Sequence, residues 1–142
     1  LTKTTRDENN KDRLENGNYI ETCGNHFILL VEDNGNATPA VITMKATQLK
    51  KSRKWNSMML NLKLNGKNGL FTPPSYSHYY RLKTIKEGND KGNWYGWEIS
   101  RESQLEDANL YAIAKGFADS VTKGERKVKY EEDNSSTDKT PF

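Results

Sequence analysis

The sequence predicts a β-rich α+β domain: a small five-stranded barrel or curled antiparallel sheet with one internal and one C-terminal helix. Two β-rich runs flank an Asn-Gly turn at residues 34–35, which is a strong hairpin signal. Two further segments repeat apolar residues at helical spacing, so the elements follow the order β-β-α-β-β-β-α. With 142 residues, of which 33 % are hydrophobic, the chain suits one domain with a modest core.

Composition divides the chain into three regions. Residues 1–17 contain one aliphatic side chain, Leu14, and no apolar periodicity, so we expect a flexible N-terminal arm. Residues 18–130 carry the β-like and helical patterns and form the predicted domain. Residues 131–142 are acidic and have no apolar side chain before the end, so we expect a disordered tail that ends in Pro-Phe.

The first two predicted strands form a hairpin. Residues 19–33 and 39–44 are rich in β-branched and aromatic side chains, and Asn34-Gly35-Asn36 lies between them. Gly24 interrupts the first run, which predicts a bulge or a break there.

A helix is predicted over residues 46–60, because Leu49, Ser52, Trp55 and Met59 recur at three- and four-residue steps. Leucines then alternate with polar residues as far as Gly66, which predicts a short strand. Residues 66–75 contain glycine, asparagine and paired proline, and we expect a loop.

The remaining elements are two strands and a helix. Residues 76–86 and 94–100 are β-like, and the glycine-rich residues 87–93 predict a long turn between them. The second helix is predicted over residues 103–123. Ser103 and Glu106 match the capping-box spacing at its start, and Gly124 suits a C-terminal cap.

Charge is strongly segregated along the chain. Residues 1–44 have a net charge of −3, residues 45–101 have +9, and residues 131–142 have −3. Such segregation indicates a partner of opposite charge to the central segment rather than a particular fold.

Aromatic residues are concentrated in the same cationic segment. Eight of the fourteen lie between residues 55 and 97. Single-stranded nucleic acid is bound by cations along its phosphates and by aromatic faces on its unpaired bases. Strand alternation separates Tyr79, Arg81 and Lys83 from Tyr80 and Leu82, so one face could pack while the other stacks. The alternative is that these aromatics form the core.

The predicted DNA-binding residues combine these cations and aromatics. In the first helix, four cations in five positions indicate phosphate contact, with a solvated surface helix as the alternative. The full set is Lys50, Lys51, Arg53, Lys54, Trp55, Lys63, Lys67, Phe71, Tyr76, Tyr79, Arg81, Lys83, Lys91 and Trp94.

Catalytic and metal chemistry find little support in the sequence. The central carboxylates do not form a pattern typical of a metal-dependent nuclease, and Cys23 with His26 lacks an orienting partner. We therefore expect no enzyme activity, no metal site and no cofactor. One cysteine and no apolar run near the ~18 residues of a membrane span favour a cytoplasmic protein without a membrane partner.

Residues 39–129 resemble small phage-encoded single-stranded DNA-binding proteins. The resemblance lies in residues 47–55 (TQLKKSRKW), 76–84 (YSHYYRLKT) and 89–99 (NDKGNWYGWEI). It implies an OB-like barrel that coats single strands during phage replication or recombination in the host cytoplasm, without a metal or a nucleotide.

The acidic end of the chain is similar to the C-terminal tip of bacterial single-stranded DNA-binding proteins. This similarity implies that Pro141 and Phe142 recruit replication and recombination proteins. Lys139 and Thr140 depart from the usual acidic run before the dipeptide.

Two other functions stay open on the sequence alone. One is a virion or accessory protein-interaction protein whose aromatics are core and whose basic face binds another protein. The other is binding of duplex DNA or RNA, because nothing in the sequence reads or rejects a 2′-hydroxyl. A homo-oligomer is compatible with either.

Overall fold

The computed structural model describes residues 3–129, and nine strands and two α-helices lie in this range. The strands are β1 (Thr5–Arg6), β2 (Asp12–Arg13), β3 (Tyr19–Ile20), β4 (Cys23–Val31), β5 (Ala37–Lys45), β6 (Leu64–Gly66), β7 (Gly69–Phe71), β8 (His78–Asn89) and β9 (Gly92–Gln104). The helices are α1 (Leu49–Asn61), which follows a 3₁₀ turn at Ala46–Gln48, and α2 (Ala108–Thr122).

Every sheet joins strands that follow one another in the chain. A three-stranded sheet contains β1, β2 and β3, and three hairpins are formed by β4–β5, β6–β7 and β8–β9, all antiparallel. The predicted β-rich α+β class with an internal and a C-terminal helix is confirmed. Within residues 3–129 the sheets do not close a barrel, so an OB-like barrel stays a prediction.

The β4–β5 hairpin confirms the prediction from Asn34-Gly35. Its nine pairs run without a shift from Cys23–Lys45 to Val31–Ala37, and Gly35 has a φ of +84° in the turn. The bulge or break expected at Gly24 is absent from this hairpin. Gly24 instead lets α1 approach, because a Cβ at this position would collide with the Ser52 side chain.

The β8–β9 hairpin is longer than the sequence predicted. Its strands pair as far as Asn89 and Gly92, so a two-residue loop replaces the long turn expected over residues 87–93. Asn89 Oδ1 accepts a hydrogen bond from the Lys91 N–H at 2.8 Å, and this side chain stabilises the tight loop. The pairing is irregular between His78 and Tyr80.

Residues 66–75 are only partly the expected loop. Gly66 pairs with Gly69 and Leu64 with Phe71, so the first part of this segment forms the small β6–β7 hairpin. Gly69 has a φ of +103°, which a glycine adopts without steric cost.

The N-terminal cap of α2 differs from the predicted one. Ser103 lies in β9, and the capping residue is Asp107, whose Oδ1 accepts from the N–H groups of Asn109 and Leu110 at 2.9 and 3.0 Å. Gly124 ends α2 with a φ of +75°, as predicted. Neither α1 nor α2, the helices of the described range, is long and apolar enough to cross a membrane.

The buried apolar core is small. In residues 3–129 it contains Met44, Trp55, Leu110 and Ala114. An apolar cleft of about 760 Å³ separates β4 from α2 and from residues 75–82.

The structure describes most of the predicted N-terminal arm but not the predicted acidic tail. Residues 5–20, part of the expected flexible arm and the start of the domain, contain the three two-residue strands of the first sheet. Flexibility of residues 1–17 stays a prediction. The predicted acidic tail, residues 131–142, lies outside the described residues.

Candidate nucleic-acid interface

The carboxylate of Glu87 organises the contact between α1 and the β8–β9 hairpin. It accepts from Lys51 Nζ at 2.7 Å, Gln48 Nε2 at 2.9 Å and Trp94 Nε1 at 3.1 Å. These donors stabilise the ionised form, and the hydrogen bond from Lys51 is the largest of several effects that lower the pKa of Glu87 to about 2. We call these four side chains the Glu87 cluster.

The Glu87 cluster also holds the backbone of β9. Gln48 Oε1 accepts from the Trp97 N–H at 2.9 Å, so one amide side chain joins the start of α1 to both strands. Gly96 makes room for this arrangement, because a Cβ there would collide with the Glu87 carboxylate and crowd Gln48. The hairpin and the first turn of α1 therefore have a fixed relation.

The outer side of α1 carries three exposed cations. Lys50, Arg53 and Lys54 are spaced three and four residues apart, opposite the buried Ser52 and Trp55. None of these cations forms an ion pair within residues 3–129. Lys51 differs from them, because its ammonium is committed to Glu87. We call Lys50, Arg53 and Lys54 the α1 stripe.

The other predicted cations have varied surroundings. Arg81 pairs with Glu102 at 2.8 Å, and Lys83 stands opposite Glu98 in the strand register. Lys63 Nζ donates to the hydroxyl of Thr72. Lys67 and Lys91 are exposed in the two hairpin turns.

Charge neutralisation of the cationic segment is incomplete in the described part of the chain. Of its twelve cations, three pair with carboxylates there: Lys45 with Glu21, Lys51 with Glu87 and Arg81 with Glu102. No acidic residue occurs between Asn34 and Lys86 in the sequence. The surface around α1 therefore has a positive potential.

Of the five predicted stacking aromatics, one is buried and three are half-buried. Trp55 is 5 % exposed and stacks on His26, with 4.4 Å between ring centroids. Tyr76 packs edge-on against Tyr111 at 5.3 Å, Tyr79 is half-buried, and Trp94 is held by Glu87. These four rings contribute to the core and its border.

Two aromatic side chains of the segment are exposed: Phe71, which was predicted, and Tyr95, which was not. Tyr95 is 74 % exposed and stands directly opposite Lys86 across the hairpin. The sequence held a signal for this pair, because a two-residue loop at Asp90-Lys91 fixes the register that brings Lys86 and Tyr95 together.

His26 and Ser52 form a second polar contact on the inner side of α1. The His26 Nε2 and Ser52 Oγ atoms are 2.8 Å apart, and burial lowers the pKa of His26. Cys23 is half-buried with a free thiol. No group of three or more His, Cys, Asp or Glu side chains that could hold a metal ion is found among residues 3–129.

Comparison with known proteins assigns the chain to a family. The model of the Pam3 phage gp34-like protein family matches residues 2–127. No curated protein and no solved structure matches the chain. Because the match covers most of the sequence, the chain belongs to the Pam3 phage gp34-like family, a family of phage origin.

Proposed function

We propose that the protein binds single-stranded DNA without marked sequence preference and without catalysis, and that it acts in phage replication or recombination. The observation that carries the proposal is the α1 stripe: Lys50, Arg53 and Lys54 face outward without an ion pair inside residues 3–129. Tyr95 would stack on a base, and the nearby Lys86 and Lys91 would contact phosphates.

The α1 stripe has no evident role in stabilising its own helix. Lys50 lies in the first turn, where the helix dipole disfavours a cation, and that turn contains no acidic residue and no side-chain cap. A phosphate would interact favourably with these cations. Departures from local stability rules are expected where a ligand compensates for them.

An exposed aromatic beside cations suits unpaired bases better than a duplex. Tyr95 presents its ring to solvent next to Lys86, and a base stacked on such a ring gains roughly 1–3 kcal/mol. A duplex hides its base faces within the stack and could use only the cations. The proposal therefore favours single strands, and it requires neither a closed barrel nor Phe71.

The acidic tail extends this proposal. Its charge is opposite to that of residues 45–101, so as a tethered segment it would compete with DNA for the cationic surface. Pro141 and Phe142 would serve as a handle for replication and recombination proteins. Deletion of residues 131–142 should then tighten DNA binding, most clearly at low salt, where charges are least screened.

The test compares labelled oligo-dT with a duplex of equal length by fluorescence anisotropy at two salt concentrations. We expect tighter binding to the single strand and a steep loss of affinity with salt, because each phosphate contact releases counterions. Tyr95→Ala should weaken single-strand binding by about 5- to 150-fold, as one lost stacking interaction predicts.

Tyr19→Ala is the matched control. Tyr19 is also an exposed tyrosine beside a lysine, with Lys11 Nζ 4.5 Å from its ring, but it lies outside the cationic segment. Its loss should leave binding unchanged. Equal affinity for single strand and duplex at moderate salt would refute the proposal.

A virion or accessory protein-interaction protein is the second candidate. It is favoured by the buried Trp55 and by the packing of the half-buried Tyr76 and Tyr80 against other rings, which leaves few rings for bases. Under this function the protein would show no salt-dependent binding to oligo-dT.

A further inference from the structure

The apolar cleft runs along an unpaired strand edge. Seven consecutive residues of β4, 25–31, line it. Alternate side chains of a strand point to opposite faces, so a cavity that borders every residue lies along the edge of the strand. Leu110, Phe117 and Val121 of α2 form the opposite wall, and no charged residue lines the cleft in the described part of the chain.

The cleft is large for an empty apolar space. Its volume of about 760 Å³ equals that of about 25 water molecules in the liquid. Most of the lining side chains are apolar, so filling the space with apolar side chains removes their surface from water and is favourable. Leu30 and Val31 extend the apolar surface from the cleft to the exterior, where both are exposed.

The protein exposes more surface than a compact monomer. Its accessible surface is 11670 Å², whereas a compact chain of 16.3 kDa exposes about 7,500 Å². Even if the 15 residues outside the described range were as exposed as an unfolded chain, at about 2,500 Å², a surplus of roughly 1,700 Å² would remain. A standard interface buries about 800 Å² on each partner, so the surplus is sufficient for two such contacts.

Three more exposed apolar side chains lie at the C-terminal end of α1 and on the two faces of the β6–β7 hairpin. Leu60 and Leu70 are 67 % and 69 % exposed, and Phe71 is also exposed. Lys63 Nζ contacts both the Leu60 carbonyl and the Thr72 hydroxyl, which keeps the end of α1 close to the β6–β7 hairpin. We call Leu60, Leu70 and Phe71 the apolar tip.

We propose that the apolar tip of one copy of this chain inserts into the apolar cleft of a second copy. Charge supports this pairing, because Lys63 and Lys67 flank the tip, whereas Glu32 and Asp33 directly follow the Leu30-Val31 rim of the cleft. The area surplus supports it as well, since each copy would use both a tip and a cleft. The inference is independent of the proposed DNA binding.

Tip and cleft are different surfaces, so the contact is head-to-tail. A head-to-tail contact produces a ring when its rotation closes and an open chain of copies when it does not. Either form leaves the tip of one copy and the cleft of the next buried at every junction.

The test is sedimentation of the full chain over a range of concentrations. We expect a mass that rises with concentration, and at least tenfold weaker association in Leu70→Asp, because a buried charge removes a central apolar contact. Ile113→Asp is the matched control. Ile113 is 54 % exposed on α2 but does not line the cleft, so this variant should associate like the native chain.

A mixing experiment establishes which surfaces meet. Leu30→Asp alters the exposed rim of the cleft, and Leu70→Asp alters the tip. Each variant alone should be monomeric, and their mixture should form one-to-one dimers through the remaining intact tip and cleft. Circular dichroism checks that both variants fold.

Four results would overturn the proposal. The native chain could stay monomeric at all concentrations, or folded Leu70→Asp could associate like the native chain. A monomeric mixture would show that two copies meet through like surfaces. Association that appears only after deletion of residues 131–142 would show that the chain's own tail occupies the cleft, and would equally exclude a second copy as its normal occupant.

Discussion

The two helices of this protein are held in different ways. Helix α2 has a side-chain cap in Asp107, a glycine terminator in Gly124 and an apolar side that contributes Leu110 and Ala114 to the core. Helix α1 has no side-chain cap, and its first turn carries cations. It is held from outside, by Glu87 at its start and by His26 against Trp55.

This difference separates residues that serve the fold from residues that do not. In α2 the terminal residues and the apolar side account for the helix. In α1 the inner side is fixed by Ser52, Trp55 and Lys51, whereas the α1 stripe is exposed and forms no ion pair within residues 3–129. Because the positive charge of the α1 stripe lies on the exposed side of the helix, we infer that it binds an anionic ligand.

The largest expected effect comes from removing the main anchor of α1. Trp55→Ala should lower the free energy of unfolding by about 3–5 kcal/mol, because it deletes a buried indole and leaves a cavity. Urea denaturation followed by circular dichroism measures the change. Ile113→Ala on the exposed side of α2 should cost far less, and a similar loss in the two variants would contradict the contrast between anchored and self-supporting helices.

Reversing charges on the two helices tests function rather than stability. Lys50→Glu with Arg53→Glu should weaken single-strand binding and reduce the slope of log affinity against log salt by about 1.4, at roughly 0.7 per lost contact. Lys115→Glu with Lys123→Glu makes the same charge change at two exposed positions, one in α2 and one at its C-cap. An equal loss from the α2 pair would mean that net charge alone, and not the α1 stripe, determines binding.

A smaller effect is expected at the start of α2. Asp107→Ala removes the acceptor for two N–H groups and should cost about 1 kcal/mol of stability. Asp107→Asn keeps a capping side chain and should stay near the native value. If the two variants were equally destabilised, the carboxylate would act through charge and not as a cap.

Acid should loosen α1 before α2. The pKa of His26 is lowered from 6.5 by burial, so the unfolded state binds the proton more readily and stability falls as pH drops below about 6.5. The pKa of Glu87 is lowered from 4.5 to about 2, so its contribution is present above 4.5 and is lost as pH falls towards 2. Both side chains hold α1.

Hydrogen exchange of peptides from the two helices provides the measurement. Protection factors in α1 should fall relative to those in α2 between neutral and mildly acidic pH, and His26→Gln should reduce this fall. The pKa of His78 is also lowered by burial, so His78 should account for the fall in protection that remains in His26→Gln. Loss of protection in α2 first would contradict the assignment of His26 to α1.

Local signals predicted much of the fold. The Asn34-Gly35 turn predicted the β4–β5 hairpin, because the turn itself sets the register of the two strands. Apolar periodicity was sufficient to predict α1 and α2, and Gly124 was sufficient to predict the end of α2. Ser103 and Glu106 had the right spacing for a cap but lie outside α2, because pairing with β8 extends β9 as far as Gln104.

The candidate site was harder to predict, because burial depends on the whole fold. Trp55 and Lys51 have the residue types of a DNA-binding surface, yet one is buried against His26 and the other is paired with Glu87. Gly24 predicts a strand irregularity from sequence alone, but its role is to admit Ser52 of α1, a contact that only the tertiary structure shows. The sequence does not predict the exposed Tyr95, because the glycine-rich residues 87–93 favour a long turn, whereas the observed two-residue loop pairs Tyr95 with Lys86.

The pairing of consecutive strands has a consequence for how the chain folds. Each sheet needs only residues close to one another in the sequence, so little loop-closure entropy opposes its formation. Chains dominated by such local pairing fold much faster than β-proteins with distant partners. Each hairpin of this protein can pair as soon as it leaves the ribosome, before the residues that cover it have been translated.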